Sequence, residues 1–227
     1  MARNQTLQEL LSDLRAECGL AASSAVGQSE NPSLKVLLKR TREMLYDEYD
    51  WPHLDGVWFD QTLSAGQRYY SFPAGLNYER ATKLYVKWGS IWQPVKYGFE
   101  PIHYNQQDSD NNQRADPVLR WRVYNGTQYE VWPLPATAVS VRFIGTTALG
   151  ALEADSDVCE LDGTMVVLFA AAERMADKPR GKVLAANASR RLAQVKSRSN
   201  NAGESFRPGS EHQEMLKPRE ITVRVKP

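Results

Sequence analysis

Three features of the sequence predict an α+β fold, with helices from both ends of the chain forming a bundle that carries an inserted antiparallel β-domain. The apolar period is 3.6 residues before Asp55 and again after Asp162, but it is 2 between Gly56 and Gly150. No helix of useful length separates the central strands, which argues against an alternating parallel α/β sheet. Beyond Ser199 the helical period stops, and glycines, prolines and charges take over. The expected organisation is a helical bundle from 1–55 and 151–199, a β-domain over 56–150 and an extended C-terminal arm over 200–227. Chain ends that pack together make such an insertion tolerable.

Thr6 with Glu9 three residues on has capping-box spacing, which satisfies free N–H groups in a first helical turn. Leu7, Leu10, Leu11 and Leu14 then form one apolar stripe, and Gly19 marks its stop. Small polar residues from Ala21 to Glu30 read as a loop. Asn31-Pro32 offers an N-cap and a proline for the first turn of a second helix, with Leu34, Leu37, Leu38, Thr41, Met44, Leu45 and Tyr49 at helical spacing. Trp51-Pro52 ends it, because proline disfavours helical geometry in the residue before it.

The expected strands are 57–63, 67–72, 81–88, 91–97, 118–124, 128–132 and 139–144, rich in β-branched and aromatic residues. Asn125-Gly126 between two of them is a strong hairpin signal. After Asp162, Met165 to Met175 is apolar nearly all round, as a buried helix is. Lys178-Pro179-Arg180-Gly181 breaks or kinks it. Lys182 to Ser199 continues as a helix, alanine-rich on one side and basic on the other. In the arm, Ile221-Thr222-Val223-Arg224-Val225 alternates like a strand, with nothing nearby in sequence to pair with. Ordering against a partner is one reading; a solvated tail, or a last strand returning to its own domain, is the other.

The 227 residues are 42% hydrophobic with 6 Trp and 10 Tyr, ample for a buried core. No apolar run approaches the roughly 18 residues a spanning helix needs, so no membrane contact is expected. Met1 to Leu10 is polar and lacks a signal-peptide core, and the 2 cysteines make no disulfide framework, so synthesis in a reducing cytoplasm is expected. The net charge of +1 hides an asymmetry: 174–227 carries +8 and 1–173 carries −7. Ala151 to Glu173 holds six acids and no base. Complementary faces of this kind favour pairing between copies. Asp155, Asp157 and Glu160 are the candidate acidic face, and Arg190, Arg191 and Lys196 the basic one. The competing reading is solvated helix ends that complement their dipoles.

Chemistry is hard to find in the sequence. His53, His103 and His212 are isolated, with no ligand-spaced cysteine beside them. Asp108-Ser109-Asp110-Asn111-Asn112 resembles the start of a calcium loop, but Gln113 stands where a glycine turns and Leu119 where a glutamate closes the site. A solvated loop is expected there. No phosphate cradle or nucleophile elbow occurs. Cys159, among acids, should have a raised pKa. No catalytic residue, metal or cofactor is expected. The aromatics Trp58, Tyr69, Tyr70, Trp88, Trp92, Trp121 and Trp132 lie on expected strands, and core packing is the leading reading. A ligand platform, with Trp58 and Trp92 stacking on a carbohydrate, is the alternative. The β-region carries 9 basic and 7 acidic residues, too balanced for a nucleic-acid footprint.

A first helix with Leu14-Arg15-Ala16-Glu17, a second opening at Asn31-Pro32-Ser33 and closing with Leu45 to Pro52, and Ala65-Gly66-Gln67-Arg68-Tyr69-Tyr70-Ser71-Phe72-Pro73 in an aromatic β-domain occur in that order. With late helices and a basic tail, this resembles the head-to-tail adaptor (connector) proteins of tailed bacteriophages, especially short-tailed ones. The resemblance implies a non-enzymatic protein of the virion neck. Its copies, commonly twelve, would form a ring under the portal protein after packaging and continue the DNA channel, where DNA is transient, non-specific content. The β-domain would receive the next tail or nozzle protein, and the arm would dock on the portal. Phe206, Leu216, Ile221, Val223 and Val225 would be apolar anchors of that arm, and Arg219 and Arg224 would pair with portal carboxylates. The free protein is then expected to be monomeric.

Overall fold

The computed structural model describes residues 3–20 and 30–204. Its elements are β1 (Gln5–Thr6), α1 (Leu7–Glu17), α2 (Asn31–Glu48), β2 (Val57–Leu63), β3 (Tyr69–Ser71), β4 (Leu76–Trp88), β5 (Ile91–Tyr97), β6 (Arg120–Val123), β7 (Gln128–Trp132), β8 (Val139–Thr147), β9 (Val158–Cys159), α3 (Gly163–Arg174) and α4 (Pro179–Glu204). The fold is α+β with four described helices and one large, mostly antiparallel sheet.

The helices form where the local chemistry predicts them. Thr6 Oγ1 accepts from Glu9 N–H while the Glu9 carboxylate accepts from Thr6 N–H, closing the capping box of α1. Gly19 follows the helix at φ +71°, a conformation that side chains resist. At α2 the cap differs from expectation. The helix starts after Glu30, which is itself helical, so Asn31 lies inside it and its Oδ1 instead accepts from Arg15 Nη1 at 2.8 Å. α2 ends at Glu48, and buried Trp51 folds back to donate from Nε1 to the Leu45 carbonyl.

α3 is the centre of the helical part, packing against α1, α2 and α4. Leu7, Leu10, Leu14, Leu34, Leu38, Leu45, Val166, Ala170, Leu184 and Val195 share one apolar cluster there. The break at 178–181 is real: α3 stops at Arg174 and α4 restarts on Pro179, whose missing N–H costs nothing in a first turn. Gly181 sits against the Met175 carbonyl, where a Cβ would collide with backbone. α4 runs to Glu204, past the expected stop at Ser199; no proline intervenes before Pro208. β1 pairs with β9, fastening the start of the chain to the acidic 150s segment.

The seven-stranded sheet has the order β2-β8-β4-β5-β6-β7-β3. Alternate residues Leu63, Leu84, Val86, Val95, Trp121, Tyr129, Val131, Val141 and Phe143 face a second, separate apolar cluster. The sheet's two edges approach one another through a side chain. Gln61 on β2 donates from Nε2 to the Ser71 carbonyl on β3 (3.1 Å), while its Oε1 accepts from Tyr129 OH (2.7 Å). The sheet is thus barrel-like, its seam held by an amide instead of a strand ladder. One pairing departs from the antiparallel expectation: β5 and β6 run parallel, at Lys96↔Arg120 and Tyr97↔Trp121. The 98–119 excursion, with a 3₁₀ turn at Pro101–Asn105, carries the chain back without a helix of α type.

Tyr46 joins the two parts. Its OH donates to the Thr147 carbonyl (2.9 Å) and accepts from Asn77 Nδ2 (3.0 Å), and the Arg80 guanidinium lies 4.6 Å from its ring.

Candidate interaction surfaces

The expected charge faces are largely occupied within the chain. Asp155 pairs with Lys35 Nζ at 2.5 Å. The Asp157 carboxylate accepts from the Glu153 and Ala154 N–H groups, which hold it below the usual carboxylate range. Glu160 receives Gly150 N–H and pairs with Arg42, a guanidinium buried between α2 and the 150s segment. Arg191 donates to Asp162, and Lys196 pairs with Glu48 at 2.9 Å. Only Arg190 of these six is exposed and has no partner among the described residues. The reason is proximity: α2 brings Lys35 and Arg42 to Asp155 and Glu160, and Glu48 to Lys196, while Arg191 joins α4 to Asp162, so opposite charges meet within the chain first.

The arm residues Phe206, Leu216, Arg219, Ile221, Val223, Arg224 and Val225 lie outside the described residues. So does His212. The other two histidines hydrogen-bond to backbone: His53 Nε2 lies 3.0 Å from the carbonyl of distant Glu160, and His103 Nδ1 meets the Glu100 backbone. Burial drives the His53 pKa down. Among the described residues no group of His, Cys, Asp and Glu could hold a metal ion. Cys159 is buried, and that burial pushes its thiol up to about 11; its acidic neighbours add less.

The 108–113 loop is exposed at 110–113, as a solvated loop is, but it is held by its own hydrogen bonds. The Asp108 carboxylate accepts from Asp110 and Asn111 N–H, and Ser109 is buried. Asp110 reaches Arg68, which also donates from Nε to Glu130. Glu130, fully buried, accepts from Arg68 (2.5 Å), Tyr104 OH (2.8 Å) and Arg122 Nε (2.7 Å). Burial, then Glu130, pushes Tyr104 up to about 12. This network pins the excursion to the sheet. Sequence reading missed it, because Glu130 is a lone acid in an apolar strand and that was its only signal.

The aromatics divide by strand alternation. Trp121, Trp132 and Tyr70 are buried as expected, but Trp58 is 63% exposed and Trp88 43%. On the outer face of β2, β8 and β5, the Arg142 guanidinium stands 4.5 Å from the Trp58 ring and 4.6 Å from the Trp92 ring. Asp60 holds the same guanidinium with two bonds of 2.6 and 2.7 Å. That pairing lowers the Asp60 pKa. Beside them runs an open groove of about 350 Å³ lined by Asp60, Gln61, Thr62, Lys87, Trp92, Ser140 and Arg142. Arg142 fills the space between the two indoles, so a sugar ring cannot enter there without displacing it.

The surface on offer is thus a stacked Trp–Arg–Trp face, with no assembled catalytic constellation among the described residues. Residues 5–209 match the sequence profile described as SU10 adaptor protein. The chain belongs to the SU10 adaptor protein family. The match spans both the helical and β parts, in keeping with a structural phage adaptor and virion component. The head-to-tail adaptor resemblance read from the sequence thus holds at the level of the family. The family is a structural one, not an enzyme family. No curated protein matches the chain significantly.

Proposed function

We propose that this SU10-family adaptor is a ring-forming component of the virion neck, of the short-tailed phage type, that joins the head to the tail. Copies, twelve in the reading drawn from the resemblance, sit under the portal and continue the DNA channel. The match over residues 5–209 carries this reading. In it, residues 1–55 and 151–199 act as one helical bundle, extended to 204 by the length of α4, and 56–150 act as the inserted β-domain. The C-terminal arm docks on the portal through Phe206, Leu216, Ile221, Val223 and Val225, with Arg219 and Arg224 paired to carboxylates. The outer β-face of Trp58, Arg142 and Trp92 receives the tail or nozzle protein: aromatic and arginine side chains are favoured as interface anchors. The same occupied geometry weighs against the carbohydrate platform.

Light scattering on a sizing column tests this, with the protein alone, with the portal ring of the same phage, and with residues 205–227 removed so that α4 stays whole. The expected result is a monomer that joins the portal stoichiometrically and fails to without the arm. No association with the portal in any form would overturn the reading.

A further inference from the structure

Most charges of the helical part are spent internally, which makes the unspent ones informative. On α4 the side facing away from α3 presents Lys182, Val183, Ala186, Arg190 and Ala193, all exposed. Pro179 to Ser199 contains no acid at all. Val183 is 59% exposed there. On α2 an exposed ridge presents Val36, Arg40, Glu43, Met44 and Asp47, with Val36 65% and Met44 50% exposed, and its Val36–Arg40 end borders α3 at Glu173. Arg40 is paired with Glu173 and Asp47 approaches Arg80, so Glu43 is the free acid of that ridge. Glu43 and Arg190 have no partner among the described residues.

The two ridges match in spacing as well as charge. Val36 and Glu43 are seven residues apart, as are Val183 and Arg190. Each pair therefore spans about 10 Å along its helix, on the same side. Laid parallel, Val183 meets Val36 and Leu37 at the groove that Ser33, Arg40, Glu173 and Arg174 complete, the last paired with Glu30, while Arg190 meets Glu43. The small Ala186 then passes over Arg40, and close approach is allowed because little side chain intervenes. Laid antiparallel, the two matches cannot be made together: with Val183 on Val36, Arg190 falls beyond the start of α2 instead of at Glu43.

We propose that the α4 ridge of one copy packs parallel against the α2 ridge of the next, with Arg190 paired to Glu43 and Val183 seated on Val36. The occupant is a second copy, because each ridge finds its complement on this same chain. Two different patches per copy make a head-to-tail contact, the kind that closes into a ring. The inference rests on the ring reading above and names its contact.

Charge reversal tests it with the full chain on its portal ring. Both residues are exposed and unpaired, so Glu43→Arg and Arg190→Glu should leave the monomer's circular dichroism and melting unchanged. Each variant alone should assemble at least tenfold more weakly, since every contact then opposes like charges. An equimolar mixture of the two variants should recover assembly, because alternating copies restore an Arg–Glu pair at every contact; the double variant should recover it too. Single variants that assemble like the unaltered chain, or a mixture that stays defective, would overturn this contact while leaving the ring reading intact. Intact rings that lose only the tail protein would assign the ridge to that partner and overturn it also. If the unaltered chain never assembles on the portal, the ring reading itself falls, and this contact with it.

Discussion

Arg191 on α4 donates from Nη2 to the Asp162 carboxylate at 2.7 Å, and Asp162 is the residue that caps α3, accepting from Met165 N–H at 3.0 Å. One buried carboxylate thus closes a helix start and fastens the last helix across it. Asp162→Ala removes both roles and leaves Arg191 unpaired beside α3, so a loss of about 3 kcal/mol is expected. Asp162→Asn keeps a competent cap and loses only the ion pair; about 1 kcal/mol is expected. Urea unfolding of the two variants measures the difference, and equal losses would show that the cap contributes nothing.

Glu130 is the corresponding point in the β part. Replacing it with Gln leaves Arg68 and Arg122 facing a neutral group in a buried position. A destabilisation of about 3 kcal/mol is expected, the low end for breaking a buried pair, because Arg122 is partly exposed. Hydrogen exchange should show the 98–119 excursion opening first. Unchanged protection there would mean that the network does not hold the excursion.

The two cysteines should differ in reactivity. Cys159 is fully buried and its thiol is pushed up to about 11, so little thiolate exists near pH 8. Cys18 is partly exposed, and burial raises its pKa too. An aromatic disulfide reagent should label Cys18 slowly and Cys159 only on unfolding. Fast labelling of both in the native protein would contradict the packing of β9.

His53 gives the pH dependence a sign. Burial depresses its folded pKa below the ordinary 6.5, so the unfolded chain binds more protons just below that pH. Stability that is present above 6.5 is therefore lost as pH falls towards the folded pKa. His53→Asn should flatten this slope in melting temperatures taken between about pH 7 and 5. A slope identical to the parent's would assign the effect to other groups.

Much of the fold was legible in the sequence because it is decided locally. Thr6 with Glu9 caps α1, Gly19 ends it, and Pro179 starts a new helix, all within one helical turn of the residues concerned. Strands β2, β5 and β7 fall where alternation puts them, since a period of 2 follows from the pleat alone. The candidate site was less legible. Trp58 and Trp121 have the same strand chemistry, yet one stacks on Arg142 in solvent and the other lies in the core. Which side of a strand faces inward depends on where the sheet curls.

By itself the sequence determined the order of the elements, their caps and breaks, the absence of a motif for catalysis, and a family resemblance that the match over residues 5–209 bears out. Tertiary structure alone decided which charges are spent. Arg191 meets Asp162, Lys196 meets Glu48 and Lys35 meets Asp155, the last pair 120 residues apart. It also closed the β seam through Gln61 and buried Glu130 among cations. The physical reason is range. Helix and strand periods arise from contacts a few residues apart, whereas an ion pair or a seam needs two distant segments brought within about 3 Å, and only the packed chain sets that distance.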